Sequence, residues 1–357
     1  MARFSYGGQA LIEGVLMRGR TAIAVALRHP DGRIVWADEK LAVGFRATRW
    51  ARLPFVRGLV VLYETLVVGT RWLVRSAGIA AVEELAPLQP ALSASSAPNP
   101  AADLAGVQDA VDAGAIPPPA PAAPVANSAD LGKGAVALML GLTLVVGVGL
   151  FFFLPLLLAK AIAGGQSGVV ERAVEGVIQI AIFLGYLLLI GRTSDVRRTF
   201  QYHGAEHMTI HALEAGDPLT VDAVRKYPTA HPRCGTEFLV VVILVSIVVF
   251  SVVGRQAIPV MVASRIVLIP VIAGISYELL RFGARHRDSR IVRWIFEPGI
   301  WVQKITTKQP TDDMLEVAIV SLEQALLADG EALPDGAGRI GRSPLVLSAE
   351  ARPAAET

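Results

Sequence analysis

The stretch Phe238–Gly254 reads FLVVVILVSIVVFSVVG, without a single charged side chain. A run this long and apolar has the length of a bilayer-crossing helix, which needs about 20 residues. In hydrocarbon the backbone must satisfy its own hydrogen bonds, so the run is expected to be helical. Three more runs share its character: Gly134 to Leu158, Ala173 to Ile190, and Ala257 to Leu280, the last containing Arg265. These four decide the fold class: a mainly α polytopic membrane protein with four transmembrane helices. The whole-chain figures agree. Of 357 residues, 53% are hydrophobic and only 18% charged, below the about 25% of ordinary soluble domains.

A fifth apolar run, Leu53–Gly69, carries Arg57 and Glu64 and is flanked by Arg49, Arg52, Arg71 and Arg75. It is expected to be an amphipathic interfacial helix within residues 51–86, not a span. Lys and Arg concentrate in cytoplasmic loops. The segment 191–237 holds Arg192, Arg197, Arg198, Arg225, Lys226 and Arg233, and Arg281, Arg285, Arg287, Arg290 and Arg293 follow the fourth run. This bias predicts both termini and the 191–237 loop on the cytoplasmic side. Arg265 is expected to snorkel outward or to pair with Glu175.

Outside the membrane domain of 131–309, residues 1–50 read as a small cytoplasmic unit with a β-hairpin. There Thr21–Leu27 alternates, His29-Pro30-Asp31-Gly32 marks a turn and Ile34-Val35-Trp36 returns. Residues 87–130 are rich in Ala, Pro and Ser and read as a disordered linker. A C-terminal helix is expected within 310–333, capped by Thr311-Asp312-Asp313, and a disordered tail over 334–357. The net charge of +2 and the lack of a basic, aromatic-interleaved tract argue against a nucleic-acid partner. Membrane lipid, and a membrane protein or lipid-linked substrate, are the expected partners. The sole cysteine, Cys234, excludes an intrachain disulfide.

Four of the six histidines fall between positions 203 and 231. Tyr202-His203-Gly204-Ala205-Glu206-His207 is H-x-x-E-H, the reverse of the zincin order. On a helix His203 and His207 are four apart and can reach one ion. Glu206 stands beside the second, where a carboxylate could take a proton from a water held at that ion. Alone, the motif reads as a solvated helix face. With His231-Pro232-Arg233-Cys234-Gly235 in the same loop, a metal site at His203, His207, His231 and Cys234 becomes the better reading, with Glu206 catalytic and a divalent ion, most simply Zn²⁺. Glu278, Glu13 and His211 are candidate further ligands or orienting groups. Gln9 and Arg18, in the glycine-framed run Tyr6–Gly19, are candidate substrate or loop contacts; a glycine-rich packing strand is the plainer account of that run.

Several motifs occur in fixed order: Gly7-Gly8-Gln9-Ala10 with Ile12-Glu13-Gly14-Val15 and Met17-Arg18-Gly19; Tyr202–His207; His231–Thr236; Ile275-Ser276-Tyr277-Glu278-Leu279; Pro298-Gly299-Ile300-Trp301; and Leu315-Glu316-Val317-Ala318. As a set they resemble the YqhQ-like family of bacterial membrane proteins. The resemblance covers nearly the whole chain apart from the 87–130 linker and the last twenty or so residues. It implies a metal-dependent enzyme of unassigned reaction, supports the ion at His203, His207, His231 and Cys234, and adds no substrate. Met208 departs from it, standing where relatives tend to have a basic residue. Two functions follow. One is a metal-dependent hydrolase at the cytoplasmic membrane face. The other is a non-catalytic membrane assembly or regulatory factor with a structural metal. Ion transport is disfavoured, because the ionisable residues do not line the span centres.

Overall fold

The computed structural model describes residues 6–41, 53–85, 133–165, 167–231, 234–253, 257–286 and 289–345. The expected linker at 87–130 and the end of the tail lie outside them.

The N-terminal strands β1 (Gly7–Leu11), β2 (Gly14–Arg18), β3 (Ala22–Arg28) and β4 (Ile34–Lys40) form an antiparallel meander. The glycine-framed run is thus a hairpin, with Gly7 opposite Arg18 and Leu11 opposite Gly14. Its two-residue loop puts Glu13 at φ +54°, a left-handed conformation uncommon for a residue with a Cβ. The His29–Gly32 turn joins β3 to β4, with Gly32 at φ +87°.

Period-2 alternation gives this sheet two apolar faces. Leu11, Leu16, Ile23, Val25, Leu27 and Val35 pack on Trp72 and Ile79 of α1 (Val56–Leu85). Val15, Met17, Ala24, Ala26 and Ile34 face α5 (Ser194–Ala215) and α10 (Asp312–Ala328). The small alanines of β3 let α10 come close enough for Ser321 Oγ to donate to the carbonyls of Val15, at 3.0 Å, and Ala24, at 3.2 Å.

The tail differs from the expected disorder over 334–345. Ser343–Pro344 form β5, which pairs in parallel with β4. The cause is a buried acceptor on α10: Glu323 is fully buried, accepts from Gly338 N at 2.9 Å and pairs with Arg342. A buried carboxylate must find partners, and the tail supplies them.

Among the described residues, four helices are long and apolar enough to cross a membrane. The first is α2 (Lys133–Val148) continued through a π turn (Gly149–Phe153) into α3 (Leu154–Ala163). The others are α4 (Gly168–Ile190), α7 (Gly235–Val253) and α8 (Ile258–Arg285). Among them α3 packs on α4, α4 on α7, and α7 on α8. The short α6 (Val221–Val224) precedes α7, and α9 (Arg290–Thr306) follows α8 and lies against α7 and α4. The bundle's polar centre is Glu175, held by Arg172 at 2.6 Å and by Arg265 at 2.5 Å. Arg265 therefore pairs inward with Glu175.

The fifth apolar run begins a single 30-residue helix. Its first turns pack on α8, where Gly58 meets the Tyr277 ring, and its later turns lie under the sheet. Arg57 and Glu64 serve different neighbours, Glu278 of α8 and Arg18 of β2.

A candidate metal centre on helix α5

Helix α5 starts after Thr193, with Asp195 in its first turn, where the helix dipole favours a carboxylate. It ends at Gly216, whose φ of +76° closes the helix in the left-handed conformation. Between these ends His203, His207 and His211 recur every four residues and make a ridge along one face. Ring centroids of His203 and His207 are 4.5 Å apart. The segment returning to α7 lies along this ridge and brings His231 and Cys234 against it.

The five side chains divide into two groups. In the first, His203, His207 and Cys234 offer ligand atoms all within 4.8 Å of one another. His203 Nε2 is 3.1 Å from Cys234 Sγ. In the second, His211 and His231 join Glu214. The sequence had suggested one set of four; the fold pairs His231 with the far end of the ridge instead.

The donor set of the first group fits a divalent transition ion: two imidazoles and a thiol are the ordinary zinc ligands. Both histidines are oriented from behind. His203 Nδ1 lies 3.0 Å from the Thr306 carbonyl and His207 Nδ1 2.6 Å from the Thr229 carbonyl. A carbonyl on Nδ1 fixes the tautomer and leaves Nε2 to coordinate. Burial pushes His207 below the usual imidazole range, against the opposing bond to Cys234, so the neutral, ligating form is favoured. Cys234 caps the N-terminus of α7 and receives the Thr236 amide at 3.3 Å on its sulfur. Gly204 lets the chain pass: a Cβ there would collide with the Lys308 carbonyl.

Glu206 sits on the adjoining face of α5, against the N-terminal hairpin. A Cβ on Gly8 would stand 3.1 Å from its carboxyl carbon and from Oε1, so the hairpin glycine is what admits this carboxylate. The group is 4% exposed, and its Oε2 has no hydrogen-bond partner among the described residues. Burial raises its pKa to about 7, against the influence of His203 and of the Gly8 amide.

The remaining sequence candidates lie elsewhere. Glu13 is bound by Arg198 and Tyr202. Glu278 takes the Phe55 amide at 3.2 Å and pairs with Arg57. Gln9 lies against Gly69 of α1, and Arg18 reaches Glu64 at 2.8 Å and Thr65 at 3.0 Å. The latter two are contacts between the hairpin and α1. Glu214 was not singled out in the sequence; its signal was only the three-residue spacing after His211.

An apolar cleft of about 490 Å³ opens between α4, α7 and α9, lined by Ile180, Phe183, Leu244, Trp301, Val302 and Ile305 among others. Its α9 wall runs from Pro298 to Ile305, next in sequence to Thr306, whose carbonyl holds His203.

Fold and site together define a mainly helical protein that has, among the described residues, four apolar helices of membrane-crossing length, an N-terminal sheet and a histidine–cysteine cluster on α5. The chain belongs to the family described as protein of unknown function (DUF1385), whose profile matches residues 53–328. It is also 28% identical over 330 residues to the uncharacterized protein YqhQ of Bacillus subtilis (strain 168), covering 90% of this chain and 92% of that one. No solved structure matches.

Proposed function

We propose that this chain is a metal-dependent hydrolase of the bacterial cytoplasmic membrane, working at its cytoplasmic face. The observation that carries the reading is the grouping of His203, His207 and Cys234, with both imidazoles backed by carbonyls. Three protein ligands are the number found at catalytic zinc sites, which keep a fourth position open. A bound Zn²⁺ would act as a Lewis acid there. His203 Nε2, His207 Nε2 and Cys234 Sγ would hold it. Glu206 Oε2, buried and without a hydrogen-bond partner among the described residues, would accept and return a proton. The apolar cleft beside α9 supports a lipid-linked substrate over a soluble one. The arginines of α5 and of the α8–α9 region support the cytoplasmic side for this end of the bundle, and with it both termini.

Burial favours a second reading. His207 and Cys234 are 2% and 5% exposed, which suits a structural ion in a non-catalytic assembly or regulatory factor. Metal content and complementation of a deletion strain separate the two. For the hydrolase, Glu206→Gln keeps the ion and fails to complement, whereas His203→Ala loses both. Full complementation by Glu206→Gln leaves only the structural ion. Metal-free wild-type protein, purified without chelator, sinks both.

A further inference from the structure

The far end of the histidine ridge is built as carefully as the near end. His211 and Glu214, three apart on α5, project on one side of the helix. The order is the reverse of the Glu-x-x-His motif by which helix bundles hold metal ions, but the three-residue spacing likewise puts carboxylate and imidazole side by side. His231, 2% exposed, faces both from the returning segment: its ring lies 4.5 Å from the His211 ring, and its Nε2 is 3.3 Å from Glu214 Oε2. One ligand atom from each falls within 4.8 Å of the others.

The supports are those of a prepared site. His211 Nε2 is 2.9 Å from the Ala230 carbonyl, which leaves Nδ1 as its coordinating atom. Its ring stacks on Tyr227, with centroids 6.0 Å apart and planes within 10°. Tyr227 is fixed in turn by donating its hydroxyl to Asp217 at 2.5 Å. The His231 amide is anchored to Gln303 Oε1 at 2.9 Å. Two imidazoles and a carboxylate are a familiar set of three protein ligands for a divalent ion, with a fourth position left to water. The Glu214 side chain is 34% exposed, so the set is open to solvent on that side.

We propose that His211, Glu214 and His231 bind a second divalent cation of the zinc class. It would clamp the segment that delivers Cys234 onto α5. The two sites share no side chain, so either can exist without the other.

The test is the metal-to-protein ratio of full-length protein in detergent, loaded with zinc and washed free of excess, measured by inductively coupled plasma mass spectrometry. Two ions per chain are expected in wild type and one in Glu214→Gln, a partly exposed isosteric change that leaves the fold intact. One ion is likewise expected in Cys234→Ser, and none when the two are combined. Cobalt in place of zinc adds an independent readout: Glu214→Gln keeps the thiolate charge-transfer absorption, and Cys234→Ser loses it while retaining ligand-field bands. A single wild-type ion that survives Glu214→Gln overturns the second site and spares the first. A single ion lost in both variants also overturns it, since one site would then draw on both groups. A single ion that survives Cys234→Ser and leaves with Glu214→Gln overturns the first site alone. No bound ion overturns both.

Discussion

Glu13, at the tip of the β1–β2 hairpin, receives Nε and Nη2 of Arg198 in a bidentate pair, each bond 2.6 Å long. The same carboxylate accepts the Tyr202 hydroxyl at 3.2 Å. The hairpin is thus fastened to α5 one residue before His203. Because Arg198 is half-exposed, the pair is worth about 0.5–1 kcal/mol. Glu13→Gln and Arg198→Gln should each lower stability by roughly that amount, and the double variant should lose little more than either single. A double-mutant cycle by urea unfolding in detergent checks this. Full additivity would show that the two side chains do not interact.

Gly8 makes a stricter demand. A methyl group there would drive into the Leu16 carbonyl and stand 3.1 Å from the Glu206 carboxyl. Gly8→Ala should cost about 1–3 kcal/mol, the usual range for overpacking. At neighbouring Gly7 an added Cβ meets nothing within 4 Å, and Gly7→Ala should stay within about 0.5 kcal/mol of wild type. Equal effects of the two in thermal unfolding would contradict the close approach of hairpin and helix.

Glu175 joins two arginines inside the bundle. Glu175→Leu deprives Arg172 and Arg265 of that shared carboxylate and should cost about 3–5 kcal/mol, as breaking a buried pair does. Replacing all three by apolar residues of similar size should recover most of the loss. If the single variant unfolds like wild type in detergent, the pairing contributes nothing.

Asp329 titrates where the sheet meets the end of α10. Burial opposes its ionisation. Bonds from the Thr21 hydroxyl, the Arg20 and Thr21 amides and the Tyr6 hydroxyl outweigh it and hold the carboxyl below 3.8. A carboxyl depressed in the folded state stabilises at pH above its unfolded value, and that contribution is lost as pH falls through the folded value. Stability should therefore decline below about pH 4, and Asp329→Asn should be less stable at neutral pH with a shallower acid decline. An unchanged acid limb in the variant would assign the decline to other carboxylates.

Length and hydropathy made the four long apolar helices legible, because a helix long and apolar enough to cross a membrane writes that requirement into consecutive residues. The His203–His207 spacing was legible for the same local reason. Which group each ligand would join was not. His231 stands three residues from Cys234, yet its ring joins His211 and Glu214 while the thiol joins His203 and His207. Nor could spacing reveal that Glu278 answers Arg57, or that Glu13 answers Arg198, since those pairs lie 221 and 185 positions apart. The tail's pairing with β4 rests on a buried carboxylate in α10, which an Ala-, Gly- and Arg-containing stretch does not announce.

Helix α1 has a mechanical consequence. Thirty residues of unbroken helix make a rod about 45 Å long. It is bolted at one end to α8 through Gly58 and the Arg57–Glu278 pair, and wedged at the other beneath the strands through Trp72 and Ile79. A stiff rod fixed at two places acts as a lever. Any displacement of α8 would be carried along this rod to the strands that rest on Trp72 and Ile79, about 20 residues away from the Arg57–Glu278 pair at roughly 1.5 Å per residue.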